Sequence, residues 1–565
     1  MPSVPIKACS ATLRSKETVP NSSATPPVAY LALAVGLTIA PSIYAQSDLD
    51  ITANADASAI FQDIKIATEG TRSLTTFSVT PTVNAAYSSN TFNGLWSSSL
   101  THLERENEIN AEEDTFAEYR YAANWQPLDQ YLIIQANGAL NYQNYSAANF
   151  LVSDFVSNSD GLTKTRSNTL SGTLTFANGD WLVAQGTASY SDTESERSAL
   201  SVNNGLDNDT LSFSGTLASG DRAKRFIWSL SGGYQNTSRS TSDTGDFISR
   251  SGNFVSDAML LKDWGLRLTA THEANQISDR TDSFASVRKF NSYGAGISYR
   301  QSGDRYIAIT ANRSESDLDE EDETYIGVDV EWALSSRTSI NGAYGRRFYG
   351  DSASAGIRYN AKYFRSSFSY TEDVTNTSRL LADTENLGVF VCPANTISIS
   401  DCFQPSSLSY DLGTGEELVQ LSSQNLEYDD NIILRKSANT QIGYQFSRIT
   451  VGLTWRYAEN DYLDADRLQR TYSTGVNLAY ELGSYTTFVA GLTYANIENR
   501  GDTTTNGASD NLSGNLGISR VFGKYLTTDL TFSYYDKEGD LAIDSVYGAE
   551  YTDRRIAFSI NYKYE

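Results

Sequence analysis

Two histidines, His102 and His272, stand in 565 residues, so any chemistry that needs an imidazole base must use one of them. His102 follows Ser97, Ser98 and Ser99, and His272 precedes Glu273. A hydrolase needs a nucleophile, its base and a group that orients the base. Serine is abundant everywhere in this chain and neither histidine sits in such a set. The plain reading is an interfacial or lumenal side chain, and no catalytic residue is assigned. The acidic run Asp317, Asp319, Glu320, Glu321, Asp322 and Glu323 offers oxygen ligands for a divalent cation. It lacks the spacing and central glycine of an EF-hand. Asp319, Glu320 and Asp322 are a candidate metal set, set against the simpler reading of a hydrated loop. Asp461, Asp464 and Asp466 repeat the idea on a smaller scale. Cys392 and Cys402 form a close pair, which in an oxidising compartment closes a small loop as a disulfide. A zinc site would want two further ligands. No cofactor and no enzymatic activity is expected.

The elements that position these residues follow from composition and period. Asp+Glu outnumber Lys+Arg 68 to 43, for a net charge of -25. That balance excludes a general nucleic-acid binder, which needs basic surface to displace counterions. Lys7, Arg14 and Lys16 precede an apolar run from Val28 to Ala40, and Pro41-Ser42-Ile43-Tyr44-Ala45 follows. This is the pattern of a signal peptide, residues 1–45, removed after Ala45 on Sec-dependent export, with Cys9 lost along with it. The run is too short to span a bilayer, which takes about 20 apolar residues.

Period-two alternation dominates the rest. Ile449, Val451, Leu453, Trp455 and Tyr457 share one face against Arg448, Thr450, Gly452, Thr454 and Arg456. Ile326, Val328, Val330 and Trp332 repeat the pattern, as do Trp264, Leu266, Leu268 and Ala270. Successive side chains on a strand point to opposite faces, so one face is apolar and the other polar. Short turns such as Asn178-Gly179-Asp180, Ser302-Gly303-Asp304 and Gly523-Lys524 alternate with long polar connections such as 104–114, 314–323 and 499–510. Short alternating with long is the pattern of a transmembrane β-barrel with tight periplasmic turns and longer outer loops. Tyr119, Trp125, Trp181, Trp228, Tyr234, Trp264, Trp332 and Trp455 are expected near strand ends, in interfacial girdles. Residues 46–565 are thus an all-β, large antiparallel barrel of about 22–24 strands, with no room for a separate plug domain ahead of it.

The closing strand carries Phe558, Ile560, Tyr562 and Tyr564 on one face and resembles the assembly signal that the barrel-assembly machinery reads. Glu565 after the terminal aromatic is a small departure. Phe77-Ser78-Val79-Thr80-Pro81-Thr82-Val83, the strand from Gly94 to Glu104, and Arg554-Arg555-Ile556-Ala557-Phe558-Ser559-Ile560-Asn561-Tyr562 resemble the PEP-CTERM system-associated outer-membrane β-barrel family. Barrels associated with capsular polysaccharide are a related alternative. The resemblance implies a Gram-negative outer membrane, contact with its lipid and lipopolysaccharide, and a link to exosortase, exopolysaccharide and PEP-CTERM secretion components. It supplies no catalytic residues.

By parity Arg120, Arg267, Arg358, Lys362, Arg365 and Arg456 point into the lumen, as do Glu118, Asp329 and Glu331. A charge on the lipid face at midplane costs about 2–4 kcal/mol, so inward is the physical choice. Such charges either pair across strands and hold the wall or line a path for a charged solute. Arg358, Lys362 and Arg365 make the best local basic patch for an anionic glycan. The longest connection, 372–435, holds both cysteines and either restricts the mouth or stands outside as a binding surface. Two functions follow: a channel or export conduit tied to exopolysaccharide or PEP-CTERM traffic, or a non-conducting barrel whose outer loops bind glycan or lipopolysaccharide.

Overall fold

The computed structural model describes residues 48–564 apart from 68–69, 107–112, 129–130, 145, 153, 160, 197–204, 241–244, 278–286, 318–322, 383–388, 394–415, 421–430, 464, 466, 502–505 and 542–545. The expected signal peptide, the candidate ligands Asp319, Glu320 and Asp322, and Cys402 with its expected disulfide to Cys392 lie outside the described residues. So does the stretch ahead of the first strand, on which the expectation of no plug rests.

Twenty-four strands form one antiparallel sheet in which each pairs with its neighbours along the chain. The first strand, β1 (Asp48–Ile66), pairs with β2 (Gly70–Ser88) on one side and with the last, β26 (Tyr551–Tyr564), on the other. Ala57 faces Ile560 and Phe61 faces Ile556 across that seam. The sheet therefore closes and leaves no edge to aggregate. The protein is a large antiparallel β-barrel, at the upper end of the expected strand number. With strands 4.8 Å apart and tilted about 40°, a round barrel of this size is roughly 45–50 Å across between backbones.

The alternation sorts side chains as the period requires. On β26 Ile556, Phe558, Ile560, Tyr562 and Tyr564 are 39–67% exposed, whereas Asp553 and Arg555, of the opposite parity and just ahead of them, are buried. Outward Leu, Ile, Phe, Tyr and Trp recur round the whole circumference. The inner wall carries Thr165, Thr193, Thr210, Thr237, Asn275, Thr310, Gln469 and Asn511. An apolar exterior round a polar interior is the inverse of a water-soluble barrel and is what a bilayer selects.

Turns of two or three residues, such as 89–91, 303–304 and 447–448, lie at the end that holds both strand termini. Longer connections, such as 145–161, 196–206 and 540–550, lie at the other. A belt of paired rings follows the short-turn end: Tyr87 with Phe92, Trp264 with Tyr299, Tyr359 with Phe364, and Tyr525 with Tyr562, all at centroid distances of 5.1–6.4 Å. A second belt is tyrosine. Tyr190, Tyr370, Tyr457 and Tyr494 donate to Asp209, Glu372, Glu459 and Asp510. On β21 (Ile449–Tyr462) the rise from Ile449 to Tyr457 spans about 20 Å of membrane normal, close to the apolar band of such barrels.

Above the second belt the strands run on into the external solvent. This corrects three sequence expectations. Tyr119 and Trp455 sit in mid-strand rather than near strand ends. Strand structure continues to Arg105, Ser316 and Arg500, so the polar connections are shorter than their charge suggested. The connection expected over 372–435 is not structureless. Strand β17 (Phe364–Asn376) leads into helix α1 (Thr377–Ala382), strands β18 (Val389–Pro393) and β19 (Glu416–Gln420) pair as a separate hairpin, and β20 starts at Ile432. Ladder hydrogen bonds outside the membrane tolerate polar residues on both faces, so charge alone does not end a strand.

Candidate functional site

Two of the expected inward charges, Arg267 and Asp329, belong to a knot in the wall. Arg267 on β11 (Trp264–Gln276) holds both oxygens of Asp257 on β10 (Phe247–Met259), at 2.7 and 2.8 Å. Its remaining nitrogen reaches Asp329 on β14 (Glu323–Ser335) at 2.7 Å. Arg300 on β12 (Val287–Ser302) adds a 3.0 Å bond to Asp257. Tyr306 on β13 (Arg305–Ser316) lies beneath both guanidinium groups, 5.1 and 4.4 Å from its ring centre. Arg347 likewise grips Glu273 with two nitrogens. Planar guanidinium groups bound at both carboxylate oxygens fix geometry as well as charge. Arg267 and Asp329 are therefore wall-bracing groups.

Other expected residues stand apart from this knot. Arg358 on β16 (Gly350–Asn360) and Arg365 on β17 are both exposed and point inward near the short-turn end. Lys362 is a correction: it occupies the turn between those strands, where its ammonium lies 5.0 Å over the Tyr363 ring, and is not on the wall. Strand parity cannot be carried through a turn. Arg337, in the preceding turn, accepts at its carbonyl from Asn360 N–H and so joins the same rim. Glu331 faces Tyr306 and Asn341. Arg456 faces Asn439 and Ser473. Arg120 faces Ser97 and Ala139. Glu118 acts locally. The ladder between β4 (Glu113–Trp125) and β5 (Leu132–Asn144) stops at Tyr119 and Leu140, and the Glu118 carboxylate accepts the next free N–H, that of Tyr142.

The outer mouth holds residues that parity alone did not reveal. The connection from β5 to β6 (Leu162–Phe176) reaches over the mouth to the stretch of wall formed by β1, β2, β25 and β26, about a quarter of the way round the ring. There Leu151 and Val152 pack against Ile64, Ile66, Leu74, Tyr547 and Tyr551. Asp154 pairs with Arg555 at 2.6 Å, and Arg555 also holds Asp553. Ser157 Oγ accepts from Arg555 and from Gln62 Nε2, which also donates to Asp553. The Ser157 carbonyl accepts from Tyr547, a phenol in the 540–550 connection whose proton affinity burial pushes up. Lys537 on β25 (Leu526–Gly539) donates to the carbonyls of Ala148, Leu541 and Gly548. Arg105 donates to Phe155 O and pairs with Asp114. Each of these buried polar side chains has at least one partner at the mouth, as burial demands. The signal in the sequence was available: Phe150, Leu151, Val152 and Phe155 are too apolar for a loop that stands in water.

A second segment reaches inward. Ser378 of α1 accepts from Asn208 on β8 (Asp207–Ser219), and Leu380 is buried. A third contact draws Phe247, Ile277 and Phe290 from one wall together with Val374, Ile432 and Leu434 from β17 and β20.

The two histidines are separate. His102 shares a hydrogen bond with Thr115 and His272 with Asn291, both on exposed outer faces. Among the described residues no group of three His, Cys, Asp or Glu side chains could hold a metal.

No protein-family model and no curated protein matches the chain. Its backbone is similar to solved outer-membrane structures. The siderophore receptor PirA from Acinetobacter baumannii aligns at TM-score 0.41 and 9% identity, over 91% of this chain and 80% of that one. The FrpB iron transporter from Neisseria meningitidis (F3-3 variant) aligns at 0.39 and 9%, over 92% and 82%. OmpT lacking loop L8, an outer membrane protein of Vibrio cholerae, aligns at 0.30 and 9%, over 92% and 99%. Likeness at this level carries no functional argument. The closed sheet, its apolar outer belt, its two aromatic girdles and its polar interior make the chain an outer-membrane β-barrel.

Proposed function

We propose that this barrel is a passive outer-membrane conduit for an anionic, glycan-like solute, entered from the periplasm and narrowed at its outer mouth. The observation that carries the reading is the exposed inward pair Arg358 and Arg365 at the periplasmic rim, beside Lys362 and Arg337. A basic ring at the entrance of an otherwise acidic protein raises the local concentration of anions. A setting alongside exopolysaccharide or PEP-CTERM secretion components rests on the resemblance of the second, third and last strands. The inward-folded segments favour a second reading, in which the barrel does not conduct and its outer loops bind glycan or lipopolysaccharide.

Single-channel recording from the refolded chain in a planar bilayer separates the two. A conduit gives steady current that an anionic polysaccharide added on the periplasmic side blocks, with no block by a neutral polysaccharide of the same size. Absence of current from a heat-modifiable, folded barrel overturns the conduit and leaves the surface role.

A further inference from the structure

A recess of roughly 570 Å³ opens on the outer, lipid-facing wall where β10 to β13 meet. Two cross-strand rows build it. In the upper row Phe254 faces Ala270, Ala270 faces Tyr293, and Tyr293 faces Arg313. In the lower row Leu268 faces Ala295 and Ala295 faces Ala311. Bulky rings thus frame a hollow floored by methyl groups, on a wall that elsewhere projects large side chains. The hollow is lined almost wholly by apolar atoms.

Its external end is basic. Arg313 lines the recess itself. One row above, His272 faces Asn291. In the row above that, Arg250 and Lys289 both face Ala274 from opposite sides. Rows climb by about one residue per strand in a tilted barrel, so Arg313, His272 and Arg250 stand near one height, at the upper aromatic belt. All three basic side chains and His272 are exposed outward. Arg250 stacks over Tyr234 at 5.9 Å. Two carboxylates stand among them: Glu315 shares the row of His272 and Asn291, and Asp317 lies beside Lys289, 3.9 Å from its ammonium.

We propose that this recess is a binding site for a phosphorylated, multiply acylated glycolipid of the outer leaflet, of the lipid A class. Its acyl chains fill the hollow between Phe254, Leu268 and Tyr293, and its sugar phosphates meet Arg313, Arg250 and Lys289. The orientation follows from the order of chemistry along the strands. The hollow lies toward the bilayer centre and the cations toward the external surface, matching chains below and phosphates above. Guanidinium groups bind phosphate oxygens bidentately, and a site at the membrane interface screens them less than open water does. The assignment is independent of conduction, because it concerns the opposite face of the wall.

The test is native mass spectrometry of the refolded chain in detergent micelles, titrated with hexa-acyl bisphosphorylated lipid A. Wild type retains one lipid at low micromolar concentration. The variant with Arg250→Ser, Lys289→Ser and Arg313→Ser needs about tenfold more for equal occupancy, as loss of one to two charge-assisted contacts implies. Ala295→Trp fills the hollow, leaves the cations in place and weakens retention similarly, which keeps the proposal falsifiable if the triple variant does not fold. Equal retention by wild type and either folded variant overturns the site. So does equal retention of dephosphorylated lipid A or of phosphatidylglycerol, since the first removes the phosphates and the second the sugar scaffold.

Discussion

If the β5–β6 connection narrows the mouth, loosening it must change the current. Three substitutions act on the connection alone: Leu151→Ser, Val152→Ser and Asp154→Ala. Leu151 and Val152 are 6% and 0% exposed, and each loses about 2 kcal/mol of apolar burial. The Asp154 side chain is 37% exposed, so solvent screening limits its pair with Arg555 to about 1 kcal/mol. Arg555 stays satisfied by Asp553 and Ser157, and the wall is not left with an orphaned charge. The sum, about 5 kcal/mol, raises the undocked population of the connection some thousandfold. Planar-bilayer recording should show a larger or noisier unitary conductance than wild type. A lock supplies the converse. Gln62 Nε2 and Ser157 Oγ lie 2.9 Å apart, so cysteines at both positions, in a chain with Cys392→Ser and Cys402→Ser, should be bridged by a short bifunctional thiol reagent, which should cancel the increase. Identical conductance and noise in folded wild-type and triple-variant barrels would refute the claim that this segment is the constriction.

Three further outcomes are expected. Arg267→Ala leaves Asp257, which is 2% exposed, with Arg300 as its remaining cation, and should cost about 2–3 kcal/mol, read as a lower urea midpoint for loss of the heat-modifiable band; Arg267→Leu with Asp257→Leu should recover only part of that loss, because Arg300 then loses its carboxylate. Charge reversal by Arg358→Glu and Arg365→Glu should move the reversal potential in a salt gradient toward cation selectivity without altering thermal stability, and an unmoved potential would remove these residues from the conduction path. Phe558→Lys places a charge on the lipid face of the closing strand at about 2–4 kcal/mol, so the yield of folded barrel in a liposome assembly assay should fall, whereas Ser559→Lys on the inner face should be tolerated.

The faces of the wall were legible in the sequence because the side-chain period of a strand is two and a bilayer forbids charge on one face. Arg267, Asp329, Arg358 and Arg365 could be assigned inward on that ground alone. Which of them pair was not legible. Asp257 meets Arg267 across one strand gap, but Asp329 comes from three strands away, and only the closed, tilted sheet fixes that distance. Lys362 was misplaced because a turn breaks parity. The mouth was missed for another reason. Its anchors, Gln62, Lys537, Asp553 and Arg555, look like ordinary inward polar residues, and for Lys537 and Arg555 the partner segment lies some four hundred residues away in sequence.

The height of these anchors explains why the mouth can be built from charges at all. Arg554 lies opposite Tyr534, level with the upper tyrosine belt, so Arg555 stands at the membrane surface and Asp553 and Lys537 above it. A buried ion pair at midplane would pay full desolvation on both partners. At the rim the cost falls on the crossing segment, which brings its own carboxylate and backbone carbonyls to groups the wall already holds. Overlong strands, which the polar ends of β1, β25 and β26 permit, are therefore the condition for a polar closure: they lift an inward-facing platform clear of the bilayer, where a returning connection can dock against charged and hydrogen-bonding partners. A barrel whose strands ended at the tyrosine belt would have only mobile loops with which to narrow an opening of this width.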